Sequence, residues 1–214
     1  MLQRVLSVVC VMVVCASMAI AEDQCGDWDV LFDGKDMSGW KANENPDAFF
    51  IEDGAIKVTG ERNHLFYVGT DAKPYTPYKN FIFECELMTR PNSNSGLYIH
   101  TQFQNDGWPK NGYEIQINNS HADYKRTGSI YDVQNVENDS PAKDDEWFKY
   151  TVVVQDRCIV ILVNDRIVNA YTEPAGKEPG EDFTRVLSEG TFAFQAHDPG
   201  SVVFIKNVRV KRLP

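Results

Sequence analysis

Apolar and polar residues alternate one for one over many short stretches of this sequence, and no stretch carries a convincing amphipathic-helix pattern. A strand turns successive side chains to opposite faces, so each such stretch has one face for a core and one for something else. The stretches are closed by turn chemistry. Asp33-Gly34-Lys35-Asp36 ends an apolar run over 28–32, and Asp53-Gly54 sits between 49–52 and 55–58 as a hairpin signature. Three further runs, 150–155, 158–163 and 166–171, are separated by Asp156-Arg157 and Asn164-Asp165 and read as an antiparallel meander. Short strands, turns every eight to twelve residues or so and no helical crossover predict an all-β chain folded as a two-sheet antiparallel β-sandwich or jelly roll.

The N-terminus obeys different rules. Arg4, an apolar stretch from Val5 to Cys15 and Ala19-Ile20-Ala21 read as a secretory signal over residues 1–21, followed by one domain over 22–214. The apolar stretch is too short to span a bilayer, so the expectation is a secreted or periplasmic protein with no membrane contact after cleavage. The formal net charge of −10 becomes one unit more negative when Arg4 leaves, which argues against nucleic acid as a partner and suits a neutral ligand. Cys10 and Cys15 leave with the signal. Cys25, Cys85 and Cys158 remain, an odd number that allows at most one disulfide, and the apolar settings of Cys85 and Cys158 predict burial for both.

The strand faces turned away from the core are unusual. Tyr98 and His100 oppose Leu97 and Ile99; Glu114, Gln116 and Asn118 oppose Tyr113, Ile115 and Ile117; Gln195 and His197 oppose Phe192 and Phe194. A solvated sheet face ordinarily carries Lys, Thr and Glu, whereas Tyr, His, Glu, Gln and Asn bind sugars or move protons. Trp40 and Trp108 are candidate stacking surfaces, because an indole offers an apolar face to sugar C–H bonds and a polar edge. Trp147, at the start of an apolar strand, reads as core. Glu84 and Glu86 share a face opposite Phe83, Cys85 and Leu87, and a solvated outer face is the preferred reading for them. No cofactor is required. A divalent metal at His100, His121, His197, Asp123 or Asp198 is open, although no spacing such as His-Glu-x-x-His marks one.

Several blocks, in one order, carry a resemblance. Leu31-Phe32-Asp33-Gly34-Lys35-Asp36-Met37-Ser38-Gly39-Trp40, Asn94-Ser95-Gly96, 112–117, Thr127-Gly128-Ser129-Ile130-Tyr131, Glu146-Trp147 and Gln195-Ala196-His197 resemble the 3-keto-disaccharide hydrolase domain family. The family pattern has Arg after the Asn-Ser-Gly strand where this chain has His100. The resemblance implies a concanavalin A-like sandwich and a carbohydrate partner, an oligosaccharide or an oxidised glycoside. It also implies an unusual glycosidase: the ketone at C3 acidifies the C2 proton, so one base can start an elimination that two flanking carboxylates would otherwise have to drive. On that reading Glu114 is the base and His197 the acid or a metal ligand. Tyr98, His100, Gln116, Asn118, Gln195, Trp40, Trp108 and Tyr131 would contact the sugar. A carbohydrate-binding module without chemistry, or an interaction domain that binds protein, fits the same alternation.

Overall fold

Turn residues fix the strand pairings. The structure, a computed structural model, describes residues 28–137 and 139–214. The expected signal over 1–21 and Cys25 lie outside them. Asp53 and Gly54, at φ 50° and 75°, join β3 (Phe49–Glu52) to β4 (Ala55–Val58), and Asn164 and Asp165, at 48° and 61°, join β10 (Cys158–Val163) to β11 (Arg166–Thr172). Two consecutive left-handed residues match the twist of the strands they connect, so these hairpins close tightly. Asp156, at φ 53°, makes the turn from β9 (Phe148–Gln155) into β10, which completes the expected meander.

The remaining strands are β1 (Asp29–Phe32), β2 (Trp40–Ala42), β5 (Asn63–Tyr67), β6 (Phe81–Thr89), β7 (Ser95–Thr101), β8 (Tyr113–Ile117), β12 (Thr191–Ala196) and β13 (Val203–Arg212). They form two antiparallel sheets. The larger runs β11-β10-β9-β6-β13-β4-β3, with β1 also paired to β13, and the smaller runs β2-β5-β12-β7-β8. A three-residue 3-10 turn at Pro46–Ala48 is the one helical element among the described residues. The core is the alternating apolar set between the sheets, with Phe83, Leu87, Tyr150, Val152 and Ile161 meeting Leu97, Ile115, Phe192 and Phe194. Chains of this kind thereby bury one face of each sheet and leave two outer faces.

The outer face of the larger sheet is a structural surface. Glu84 and Glu86 lie on it as expected, but Glu84 is not solvated: its side chain is 11% exposed and takes Arg209 at 2.6 Å and Lys149 at 2.9 Å. Trp147 does not enter the core. Phe148, Tyr150, Val152 and Val154 are the inward residues of β9, so the alternation that buries them turns Trp147 outward, where it is 38% exposed beneath the Lys206 ammonium at 4.0 Å. Cys85 is buried, Cys158 is half-buried with its Sγ 3.8 Å from Thr172 Oγ1, and neither forms a disulfide among the described residues.

Candidate functional site

On the outer face of the smaller sheet the polar residues stand in rows across the strands. Register sets Gln195 opposite His64 on β12 and β5, and Gly96 opposite Gln116 on β7 and β8. The next row holds Phe66, Ala193, Tyr98 and Glu114. Gly96 has a specific task here. A Cβ on it would lie 2.5 Å from Glu114 Oε1, so the bare backbone is the space over which the Glu114 carboxyl reaches toward Gln195.

Glu114 is consequently held from two sides. Tyr98 Oη donates to Oε2 at 3.0 Å, and Gln195 Nε2 donates to Oε1 at 3.0 Å and to Tyr98 Oη at 3.1 Å. Burial pushes the carboxyl up to about 7, against the opposing pull of the Tyr98 and Gln195 hydrogen bonds. The residue keeps partial exposure through the pocket mouth, so a ligand can reach a group whose charge is poised near neutrality. Burial, and then the nearby Glu114 charge, hold the Tyr98 phenol well above its ordinary range, so it remains a donor. Beside them Gln116 Nε2 donates to Asn94 Oδ1 at 2.9 Å.

His197 follows β12 directly. Its Nδ1 lies 2.7 Å from Asp198 Oδ2, which also accepts from Ser201 Oγ at 2.7 Å. Burial pushes Asp198 up, but the hydrogen bonds from Ser201, His197 and Gly200 outweigh it and leave the carboxyl below its usual range. An ionised partner at this distance favours an imidazole that carries a proton on Nδ1.

Three loops raise walls around this floor and enclose a cavity of about 260 Å³. Trp108 and Pro109 come from 102–112, Tyr131 and Asp132 from 118–147, and Phe183 and Arg185 from 173–190. Arg185 pairs with Asp132 at 3.1 Å, and Lys125 reaches the other Asp132 oxygen at 3.1 Å. The loops are also tied to the sheet and to each other. Glu173 accepts from Tyr113 Oη at 2.5 Å and from Leu187 N at 2.7 Å, and Thr184 N donates to Lys110 O at 2.8 Å.

Seven of the residues singled out from the sequence therefore line one cavity: Glu114, His197, Tyr98, Gln116, Gln195, Trp108 and Tyr131. Three do not. His100 sits at a β-bulge opposite the Thr191/Phe192 register shift, with φ 54°, and the bulge breaks the alternation that would have kept it beside Tyr98. It donates from Nε2 to Lys79 O at 2.9 Å and accepts from Ser188 N at 3.1 Å, packs on Phe81, and is pushed down to about 4 by burial. Asn118 lies under the loop that follows it, where Nδ2 donates to the carbonyls of Asp123 and Lys125 and Oδ1 accepts from His121 N. Trp40 belongs to the core: it stacks on Phe194 at 5.5 Å and donates from Nε1 to Leu31 O.

Asn94, Asp132, Phe183 and Arg185 also line the cavity without having been anticipated. Asn94 could have been found, since it continues the 94, 96, 98 parity of β7. The other three stand on irregular loops, where no periodicity exists to read. Among the described residues no group of three His, Cys, Asp or Glu side chains gathers as a metal site.

Comparison with known proteins bears on this arrangement. A family model described as the 3-keto-alpha-glucoside-1,2-lyase-like domain matches residues 27–211. Among solved structures, one from Parabacteroides distasonis described as a candidate glycosyl hydrolase superposes with TM-score 0.70 at 23% identity, covering 87% of this chain and 94% of that one. Carbohydrate-binding module CBM66 from Bacillus subtilis gives TM-score 0.56 at 14% identity, covering 81% of this chain and 96% of that one. SCLam, a non-specific endo-beta-1,3(4)-glucanase of family GH16, gives 0.54 at 12% identity, covering 89% and 91%. At these identities the structural likeness speaks for the fold. No curated protein matches the sequence.

Proposed function

The chain belongs to the 3-keto-alpha-glucoside-1,2-lyase-like domain family, a carbohydrate-active family, and from that premise we propose that it cleaves 3-keto-glycosides by elimination, with Glu114 as the base. The observation that carries this reading is a carboxyl on the cavity floor that makes no ion pair among the described residues, pushed up to about 7 by burial and held between Tyr98 and Gln195. A general base works best when its proton affinity lies near the working pH. The cavity's other carboxylate, Asp132, has each oxygen turned to a cation, so the paired-carboxylate mechanism of an ordinary glycosidase lacks its second partner.

In the proposed reaction Glu114 removes the proton on C2 of the sugar, and the electron pair moves into an enolate with the C3 ketone. The C1–O bond then breaks as C1=C2 forms, and the departing oxygen takes the Nε2 proton of His197 in its imidazolium form, whose Nδ1–H is held by Asp198. Water adding at C1, its proton taken by the now neutral His197 while Glu114 returns its own proton to C2, would complete a net hydrolysis and restore both groups. Gln116, Gln195 and Asn94 orient the ring, and Trp108, Tyr131 and Phe183 offer it apolar surface. Export follows from the reading of residues 1–21 and is part of the same proposal. N-terminal sequencing of the protein recovered outside the cytoplasm checks it, with Glu22 expected first.

The activity test uses 3-keto-trehalose and 3-ketosucrose beside their unoxidised parents, with and without EDTA. Cleavage of the keto sugars alone, lost in Glu114→Gln while affinity is kept, supports elimination at this site. Cleavage of neither set, with saturable sugar binding, would leave a binding module in its place.

A further inference from the structure

His64 stands next to Gln195 in the same cross-strand row, is fully buried, and has no hydrogen-bond partner on either ring nitrogen. Gln195 Oε1 and Gln116 Oε1, further along that row, are likewise buried and unpartnered. Buried polar atoms are nearly always satisfied, so a run of orphans along one row of one sheet calls for a partner that arrives from outside. Packing alone does not require a histidine here. The ring touches Tyr98, Trp108 and Phe66 with centroids 5.3, 5.4 and 6.2 Å away, contacts that a phenylalanine would make without burying a nitrogen.

The cover over His64 is a loop with few outside ties. Trp108 roofs His64 and Phe103 roofs Phe66, both from 102–112. Gln104 holds this loop together from within, donating to the carbonyls of Asp106 and Trp108 and accepting from Lys110 N. Its ties to the rest of the protein include Asn43 to Gly107 O, at a long 3.4 Å, the Lys41 ammonium over Phe103 at 4.1 Å, and, at its C-terminal end, Thr184 N to Lys110 O and Gly112 N to Thr184 Oγ1, so the 103–108 tip is the lightly held part. Such a loop can swing as a unit.

We propose that His64 is a sugar-contacting residue, covered by Trp108 in the free protein and uncovered when a ligand lifts 102–112, so that the imidazole and Gln195 Oε1 together take the hydroxyls of a second sugar ring. This rests on the reading of the pocket as a carbohydrate site and deepens it: the substrate has two rings, one over Glu114 and one toward His64. Burial pushes His64 down to about 3, so the ring is neutral and offers one donor and one acceptor, the pair that a vicinal diol matches.

Two variants test this. In diethylpyrocarbonate labelling read by peptide mass spectrometry, His64 stays unmodified in the native protein and becomes modified in Trp108→Ala. An unmodified His64 in that variant overturns the proposal whatever the activity. In kinetics, His64→Phe raises KM for 3-keto-trehalose about tenfold and leaves KM for methyl 3-keto-α-glucoside within about twofold, with no loss of thermal stability. Cleavage by the native protein with KM for both sugars unmoved by His64→Phe, or moved equally, overturns the proposal alone. Failure of the native protein to bind or cleave either sugar would remove the carbohydrate reading itself and this inference with it.

Discussion

Gly96→Ala isolates the placement of the Glu114 carboxyl from its chemistry. The glycine backbone lies outside the left-handed region, so alanine can adopt it, and the methyl is the whole perturbation. That methyl would stand 2.5 Å from Glu114 Oε1, 2.9 Å from Cγ and 3.1 Å from Cδ. Ordinary carbon contacts begin at about 3.5 Å, so the carboxyl must retreat by about 1 Å. The two bonds that hold it, each 3.0 Å long, cannot both survive such a shift. Misplacing a reacting group by about 1 Å costs on the order of 10²-fold in rate, and losing one or two neutral-donor hydrogen bonds costs about 1–2 kcal/mol of stability. The expected variant is therefore folded, melts a few degrees lower and cleaves a 3-keto-glycoside about 10²-fold more slowly. Single-turnover kinetics on 3-keto-trehalose, with far-UV circular dichroism and a thermal melt as controls, provide the measurement. A folded Gly96→Ala protein with kcat/KM within about threefold of native would refute the claim that this carboxyl, in this position, is the base.

Other expectations follow from the same geometry. As a base Glu114 must be ionised, so kcat/KM should rise with pH through about 7, and Glu114→Gln should abolish that limb along with turnover; a limb that persists in residual activity would assign it elsewhere. A folded value raised above the ordinary 4.5 means that the native state holds the proton more tightly than the unfolded chain. The group therefore favours folding at low pH, and this contribution is lost as pH rises through about 7. Glu114→Gln should accordingly match the native melting point near pH 4 and exceed it by the equivalent of about 1–3 kcal/mol at pH 8, with partial solvent access holding the figure down. On the opposite sheet, Glu84→Ala strips Arg209 and Lys149 of a carboxylate that is 11% exposed. Denaturant titration should show a loss of about 1–3 kcal/mol with unchanged kcat/KM; an unmoved midpoint would show that the pair contributes nothing net.

Period-two alternation was enough to recover the architecture and much of the site floor, because a side chain on a regular strand has only two directions available. Tyr98, Glu114, Gln116 and Gln195 share a face for that reason, and Phe83, Phe192 and Phe194 share the opposite environment. The same rule misled where the strand was not regular. At His100 a bulge inserts one residue and turns the imidazole toward Lys79 and Ser188; at Asn118 the strand has ended and the chain folds back over its own side chain. Trp147 was misplaced for a different reason, since its own parity against Phe148 pointed outward and its hydrophobicity suggested core. His64 is not legible as a site residue because β5 opens on two adjacent polar residues, Asn63 and His64, and continues as an unbroken apolar run, so no alternation marks a face.

Local sequence thus determined which residues become strands, where the hairpins turn, and which side chains share a face, since each of these is fixed by neighbours a few positions away. Only the tertiary structure decided what those faces meet. That Gly96 leaves room for a carboxyl from the adjacent strand, that burial brings Glu114 to the edge of ionisation, and that Trp108, Tyr131, Phe183 and Arg185 arrive from three distant loops to enclose it are properties of residues far apart in the chain. Solvent exclusion and cross-strand register exist only once both sheets have assembled, and the chemistry proposed for this pocket depends on both.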